Sequence, residues 1–440
     1  MSIRKISLYT ATFIVIANMI GTGVFTSLGY QLDGIQSGFA IMMLWVLGGV
    51  IALCGALSYG ELASAMPRSG GEYQYLTKIF HPLLGFLSGW VSVTVGFAAP
   101  VALSAMALGN YVNKVYPVIN PVIMASGIVV LITIIHSFTL KRSALIQDAS
   151  TILKIVLILF FVVAGLVLAT SQHVDILPVV SNVKEQSWTC IFSASFAVSL
   201  NYIYYAYSGW NASAYIANDM ENPKVNIPKS LLYGTIIVMV LYVLINYVFL
   251  YSSPMSELKD KQEVGYIAAT HIFGPNGSKL MAILIALTLL SSVSSMVFIG
   301  PRVAQVMGQD LKQISFLAKQ NKHGIPVVAK VIQCAISVFL VITSTFSDVM
   351  LYVGFTLNLI TFLTVFGLFV MRIRGKIKSD SYKTFGYPVT PFIFLLLSAW
   401  TLYFTMSVNY KQSLLGLATI LAGSIIYFIR KPKTYDQEVS

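Results

Sequence analysis

Charge is scarce in this 440-residue chain: 10% of residues are Asp, Glu, Lys or Arg, while 57% are apolar. A water-soluble domain of this length must wet its outside, and so few charges cannot do that. Lipid is therefore the solvent for much of the chain. Cysteine is scarcer still. Cys54, Cys190 and Cys334 lie far apart, in or at the edges of apolar stretches, with no CxxC pair and no loop holding two of them. That pattern argues against a disulfide framework or a thiolate metal site and for small core residues. Glycosidase-like carboxylate pairs, a nucleophile triad and a P-loop are all missing, which speaks against an enzyme or an ATPase. No metal and no cofactor is expected. Loops long enough to hold a soluble domain are lacking too.

What the chain has is a recurring apolar run. A hydrocarbon core of about 30 Å calls for about 20 apolar residues per helix, and such stretches fall at roughly 7–32, 38–66, 80–111, 120–139, 146–169, 189–219, 229–252, 278–304, 326–346, 348–371, 389–408 and 412–430. Twelve transmembrane helices follow, in an all-α polytopic membrane protein. Arg4 and Lys5 before the first run mimic a signal peptide, but the run is too long and lacks a small-residue cleavage site. Of the 28 Lys and Arg, 21 fall in alternate segments beginning with the N-terminus, 6 in the intervening ones and one, Lys154, inside a span. The asymmetry puts both termini in the cytoplasm of a multi-pass cell-membrane protein. It also accounts for the net charge of +12 without a nucleic-acid partner.

Two spans are abnormal. The first is interrupted by Gly21-Thr22-Gly23, one turn after Asn18, and the sixth around Ser208-Gly209, followed by Trp210 and Asn211. Breaks in corresponding places, five spans apart, suggest a five-plus-five inverted repeat: one transporter domain over 1–440, with the first repeat at 1–170, the second at 188–372, and two further helices at 389–430. Non-helical backbone at membrane depth must be buried or line a cavity. Ordinary small-residue packing is the bland alternative for either break alone. The first break would aim the N–H groups near Thr22, Gly23 and Val24, with the positive end of a helix dipole, at the midplane. That is a carboxylate site, with the Thr22 hydroxyl as a further donor and glycines at 21 and 23 allowing close approach. Carbonyls freed near Tyr204–Tyr207 would accept from an ammonium group. Together the breaks suit an α-amino acid.

Charges missing at mid-depth narrow the substrate. Glu61, Asp148, Asp219, Glu221 and Asp348 all fall near span ends, and no arginine lies at mid-span, so a neutral side chain is expected. Glu61 reads as a partner of Arg68 or of helix ends rather than as a proton carrier. Lys154 is the exception: eight residues into span five, it lies about 12 Å deep, at a cost of about 2.5–3.5 kcal/mol. Snorkelling is the bland reading. The functional one has its ammonium bridge carbonyls near Gly21 to hydroxyls in Ser291–Ser295 of span eight, including Ser292 and Ser295, as a fixed cation or, with its proton loosened by burial, a proton carrier.

These residues also resemble a family. Gly21-Thr22-Gly23-Val24-Phe25, then Tyr59-Gly60-Glu61-Leu62-Ala63 and Pro67-Arg68-Ser69-Gly70-Gly71-Glu72-Tyr73, resemble signatures of the amino acid–polyamine–organocation superfamily. Ala206 to Asn211, Glu221-Asn222-Pro223 and Asn226-Ile227-Pro228 are similar to its L-type amino-acid transporter branch, including bacterial alanine–serine–cysteine exchangers. The resemblance implies a LeuT-like fold, alternating access and sodium-independent exchange. It implies a substrate site of Met19, Ile20, Gly21, Thr22, Gly23, Tyr205, Ala206, Ser208 and Gly209. Thr22 and Gly23 would hold the carboxylate; Met19, Tyr205 and Ser208 would hold the amine through backbone carbonyls. Gating and coupling would fall to Lys154, Tyr205, Trp210, Asn211, Ser292 and Ser295, with Tyr205 as the aromatic outer gate. Ser208 stands where large-substrate members carry glycine, which shrinks the pocket towards alanine, serine or cysteine. Residues 112–119 lack the cysteine by which animal members join a glycoprotein partner, so no disulfide-linked heavy chain is expected. The expectation is a bacterial exchanger or facilitator of small neutral L-amino acids. A proton-coupled symporter is the near alternative, and a non-transporting amino-acid sensor the distant one.

Overall fold

The computed structural model describes residues 5–138, 143–171, 189–322, 324–377 and 379–429, apart from the side chains of 143–148 and 313. The chain ends, the start of the second expected repeat at 188 and the Asp148 side chain lie outside the described residues. Among these the regular structure is helical, the one β-type contact being an isolated bridge between Ile6 and Met220. Bilayer physics gives the reason: a helix satisfies its backbone N–H and C=O groups internally, whatever surrounds it.

The first expected span is two helices, α1 (Leu8–Met19) and α2 (Gly23–Gly34), separated by Ile20-Gly21-Thr22. Then come α3 (Gly38–Ala65), the short α4 (Glu72–Ile79), and α5 (Pro82–Val91). A π-helical turn, Ser92–Phe97, joins α5 to α6 (Ala98–Val115). α7 (Pro121–Phe138) and α8 (Ser143–Leu168) follow. The sixth span is α9 (Ala194–Tyr207), an irregular link, and a 3₁₀ segment, Ala212–Asp219. After it run α10 (Pro223–Ser252), the four-residue α11 (Met255–Leu258) and α12 (Val264–Asp310). α12 is two helices meeting at Gly274 (φ 72°, ψ −176°). Its first part precedes the eighth expected span. The remainder is α13 (Val327–Thr343), α14 (Phe346–Ile373), α15 (Val389–Val408) and α16 (Tyr410–Ile429).

Ten of these segments are long and apolar enough to cross a bilayer. The two other expected spans, the sixth and the ninth, fall short for different reasons. The sixth is split by its break, so neither piece spans alone, and α13 has 17 residues. The outward faces are apolar, as lipid contact requires: Val156, Phe160 and Val163 of α8 and Leu421, Ile425 and Phe428 of α16 are all at least half exposed. The chain is thus a multi-pass membrane protein.

Burial separates centre from rim. In the first span 83% of the apolar window is buried inside the protein, against 17% for both α7 and α16. A helix whose backbone is broken has to be the central one, because only protein neighbours can cover the freed groups. α1 packs on α8 and α10, α2 on α9, and α8 also on α10 and α12. The two breaks and the Lys154 helix therefore meet in the middle of the bundle.

Candidate substrate site between the two breaks

The breaks touch directly. A Cβ on Gly23 would lie 2.4 Å from the Cα of Ala206 and 2.6 Å from its Cβ, so only glycine admits this crossing. The room expected for a ligand at position 23 is filled by the sixth span's own backbone, while Gly21 has only the Met19 carbonyl within 4.0 Å. Gly209 is held at φ +98° with its missing Cβ 2.9 Å from the Asn18 carbonyl carbon and oxygen, a conformation open to glycine at little cost. Thr22 Oγ1 and Tyr205 Oη share a hydrogen bond of 2.5 Å, both side chains buried. It ties the two expected ligand-binding segments to each other.

Ser208 ends α9 with φ −56° and ψ 151°; its N–H and its hydroxyl both donate to the Tyr205 carbonyl, at 3.0 and 2.7 Å. The Tyr205 carbonyl, expected to receive an amine, is bonded within its own turn. The Met19 carbonyl is likewise engaged, by the Tyr242 hydroxyl of α10. Tyr242 escaped the sequence reading because it sits in an unbroken apolar helix. It packs edge-on to Trp45, whose indole donates to Gln31 Oε1 at 3.1 Å, and beside Tyr207.

Lys154 is 1% exposed. Its Nζ donates to the carbonyls of Ala17 at 3.3 Å and Ile20 at 2.9 Å and to the Ser292 hydroxyl at 2.9 Å. Ser292 Oγ is also 3.3 Å from the Ile20 carbonyl. An ammonium has three donors and no acceptor, and all three are used. The lysine thus joins α8, the end of α1 and α12 at the first break. Ser295, one turn on, is buried; the Ser291 hydroxyl has no partner among the described residues.

Below the breaks, towards the end that carries Asp219, lies a cavity of about 70 Å³. Asn18, Ser208, Gly209, Trp210 and Asn211 reach its wall; Met19 to Gly23, Tyr205 and Ala206 do not. A second cavity of about 350 Å³ is lined by Asp219, Arg302 and Lys330 among others. Tyr215 belongs to both walls. Its hydroxyl donates to Glu72 Oε2 at 2.6 Å, and its ring stands edge-on to Phe97. Glu72 Oε1 accepts from Asn211 Nδ2 at 2.6 Å and from the Tyr59 hydroxyl at 2.9 Å. Trp210 packs edge-on to Tyr59, ring centroids 4.7 Å apart. Sequence reading singled out Trp210 and Asn211 but missed Glu72 and Tyr215, because Glu72 reads as part of a cytoplasmic loop. Gly71, at φ +53°, turns that loop inward so that Glu72 is 2% exposed.

The same end is laced together. The segment before α1 bonds the sixth span (Ile6 N–H to the Asp219 carbonyl, 2.8 Å), and Asn218 and Ser69 exchange two bonds. Arg68 pairs with Asp310 at 2.7 Å, not with Glu61. Glu61 instead takes Arg372 in a two-pronged pair at 2.8 and 2.9 Å and the Thr384 N–H at 2.7 Å. The correction has a simple cause: α3 ends at Ala65, the chain then turns away, and the end of α14 comes alongside Glu61.

A family model described as amino acid permease matches residues 6–429. The chain is similar to the b(0,+)-type amino acid transporter 1 of Rattus norvegicus, 26% identical over 97% of this chain and 88% of that one. It is also 26% identical to the serine/threonine exchanger SteT of Bacillus subtilis (strain 168), over 98% of this chain and 97% of the relative. The large neutral amino acids transporter small subunit 2 of Homo sapiens is 27% identical over 98% of this chain and 82% of its own length.

Proposed function

Since this chain belongs to the amino acid permease family, as its broken-helix motifs led one to expect, we propose that it is a sodium-independent exchanger of small neutral L-amino acids. It would work by alternating access in a bacterial cell membrane, with both termini in the cytoplasm and no disulfide-linked partner. The observation that carries the reading is the Lys154 ammonium bonded to the Ala17 and Ile20 carbonyls and to Ser292. Carbonyls freed by a broken helix at membrane depth need a cation or other donors. Here the protein's own side chain fills that role, so a bound sodium ion is unnecessary. A twelve-span, five-plus-five arrangement suits two breaks that cross at Gly23 and Ala206.

In its outward phase the bond between Thr22 and Tyr205 would open to admit the substrate carboxylate to the N-terminus of α2. In its inward phase the Tyr215–Glu72–Asn211 contacts would part towards the larger cavity. The mid-depth cavity of about 70 Å³ equals the liquid volume of about two water molecules, which suits a short side chain. Labelled alanine should enter proteoliposomes only when they are preloaded with alanine, without sodium and without a pH gradient. Uptake that instead follows an imposed proton gradient would favour a symporter. Binding without any uptake would favour a sensor.

Ser208 lies on the cavity wall with its hydroxyl turned back on Tyr205. Ser208→Gly removes that side chain and lets longer substrates in. Leucine should then compete with labelled alanine several-fold better than in the wild type, a gain of about 1 kcal/mol per methylene accommodated. An unchanged competition profile would remove Ser208 from the selectivity argument.

A further inference from the structure

At the end of the bundle that carries Asp219, several cations have a carboxylate of their own. Arg68 pairs with Asp310, Lys224 with Asp380 at 2.6 Å, Arg302 with Asp219 at 3.5 Å and Arg372 with Glu61. Three others do not. Lys78, in the last turn of α4, and Arg374 and Lys376, just past α14, meet on a cavity of about 180 Å³ completed by Met66, Ile79 and Met371. No carboxylate lines it, and none of the three cations is in an ion pair among the described residues.

Local structure builds the cluster. Arg374 donates to the Ile79 carbonyl at 2.8 Å, which ties the end of α14 to the end of α4. Gly375, at φ +62°, turns the chain, and the Lys376 N–H returns to the Met371 carbonyl at 3.0 Å. The bond to Ile79 uses one of five guanidinium N–H groups, so most of the fork is left for another acceptor. Like charges repel, and charge that only sets topology has no need to converge on one cavity from segments remote in sequence.

The cavity sits where a lipid-facing surface gives way to charge. Phe366 is 45% exposed and Ile373 83%, and their spacing puts them on one stripe of α14. Gly367, Met371 and Arg374 form the adjoining stripe. Phe80, which follows α4, stacks on Phe366 with planes 5° apart. An apolar surface thus leads along α14 to three cations, the outline of an anionic phospholipid with its chain on the stripe and its phosphate in the cavity. Basic pockets between membrane helices recognise such headgroups, and a guanidinium takes phosphate oxygens two at a time. The cavity equals the liquid volume of about six water molecules, room for a phosphate group. A soluble anion would use the cations but leave the apolar stripe idle.

We propose that this cavity binds the phosphate of an anionic membrane lipid, held by Lys78, Arg374 and Lys376, with an acyl chain along Phe366 and Ile373. The lipid bridges α4 and α14. Because α4 begins at Glu72, whose carboxylate holds Tyr215 and Asn211, the bound lipid steadies the helix that carries those contacts.

The test is native mass spectrometry of the purified full-length protein in neutral detergent, titrated with phosphatidylglycerol or with phosphatidylcholine of the same acyl chains. Phosphatidylglycerol should bind at concentrations roughly tenfold to a hundredfold lower. Lys78→Ala, Arg374→Ala and Lys376→Ala should each weaken it roughly fivefold and leave phosphatidylcholine unchanged, while Lys411→Ala, away from the cavity, should change neither. Equal binding of the two lipids by the wild type overturns the assignment, and this comparison needs no variant to fold. A preference kept in full by all three cavity variants, or lost equally in Lys411→Ala, overturns the site. Displacement of phosphatidylglycerol by millimolar inorganic phosphate would make this a soluble-anion site and overturn the lipid.

Discussion

Gly23→Ala is expected to reduce transport to background while the protein still inserts and folds. The added methyl would fall 2.4 Å from the Ala206 Cα, 2.6 Å from its Cβ and 3.2 Å from its amide nitrogen. Two of these are main-chain atoms, which cannot rotate out of the way. The first and sixth spans must therefore move apart at the point where they cross. Overpacking of this kind costs about 1–3 kcal/mol, too little to unfold a core of this size but enough to displace neighbouring contacts. The adjacent Thr22–Tyr205 bond, at 2.5 Å, tolerates no such shift. Gly21→Ala should be milder, since its Cβ would meet only the Met19 carbonyl at 4.0 Å. Uptake of labelled alanine into vesicles containing equal amounts of each protein separates the two. Wild-type rates in Gly23→Ala would show that the crossing at Ala206 is not part of the transport cycle.

Lys154→Ala should slow exchange at least tenfold, with substrate binding affected far less. The lysine supplies three charge-assisted bonds, to the carbonyls of Ala17 and Ile20 and to the Ser292 hydroxyl. Hydrogen bonds to a charged group are worth about 1.5–3 kcal/mol each, and buried acceptors left alone bear a desolvation cost of similar size. Without the ammonium, the end of α1 loses its tie to α8 and α12, and the state in which they are closed together loses stability relative to the open one. Since Lys154 is absent from the cavity wall, the loss should appear in the return step of the empty carrier. Comparing exchange rates with equilibrium binding of the same labelled substrate checks this. Equal rates in mutant and wild type would reduce Lys154 to a structural cation.

Much of this arrangement was legible in the residue order. Glycine-flanked interruptions inside apolar runs mark helix breaks wherever lipid forbids loops, which is why Gly21–Gly23 and Ser208–Gly209 could be located without coordinates. A lone lysine eight residues into an apolar span has few places to go, and the serine-rich stretch of span eight was a readable destination. Partners across the bundle were another matter. Arg68 is the arginine nearest Glu61 in sequence, yet Arg372, 311 residues away, holds it. Glu72 looked like loop charge, and only the turn at Gly71 carries it inward to Tyr215 and Asn211.

The sequence by itself determined that this protein lives in a bilayer, where its chain breaks, and which family it belongs to. These follow from local composition and from motifs a few residues long. Only the tertiary structure decided that the mid-depth cavity lies against the second break and not the first, that Ala206 fills the gap at Gly23, and that Tyr242 covers the Met19 carbonyl. Each of these depends on the meeting of helices remote in sequence, and hydrophobic periodicity, which reports only whether a face is apolar, carries no information about which helix will cover it.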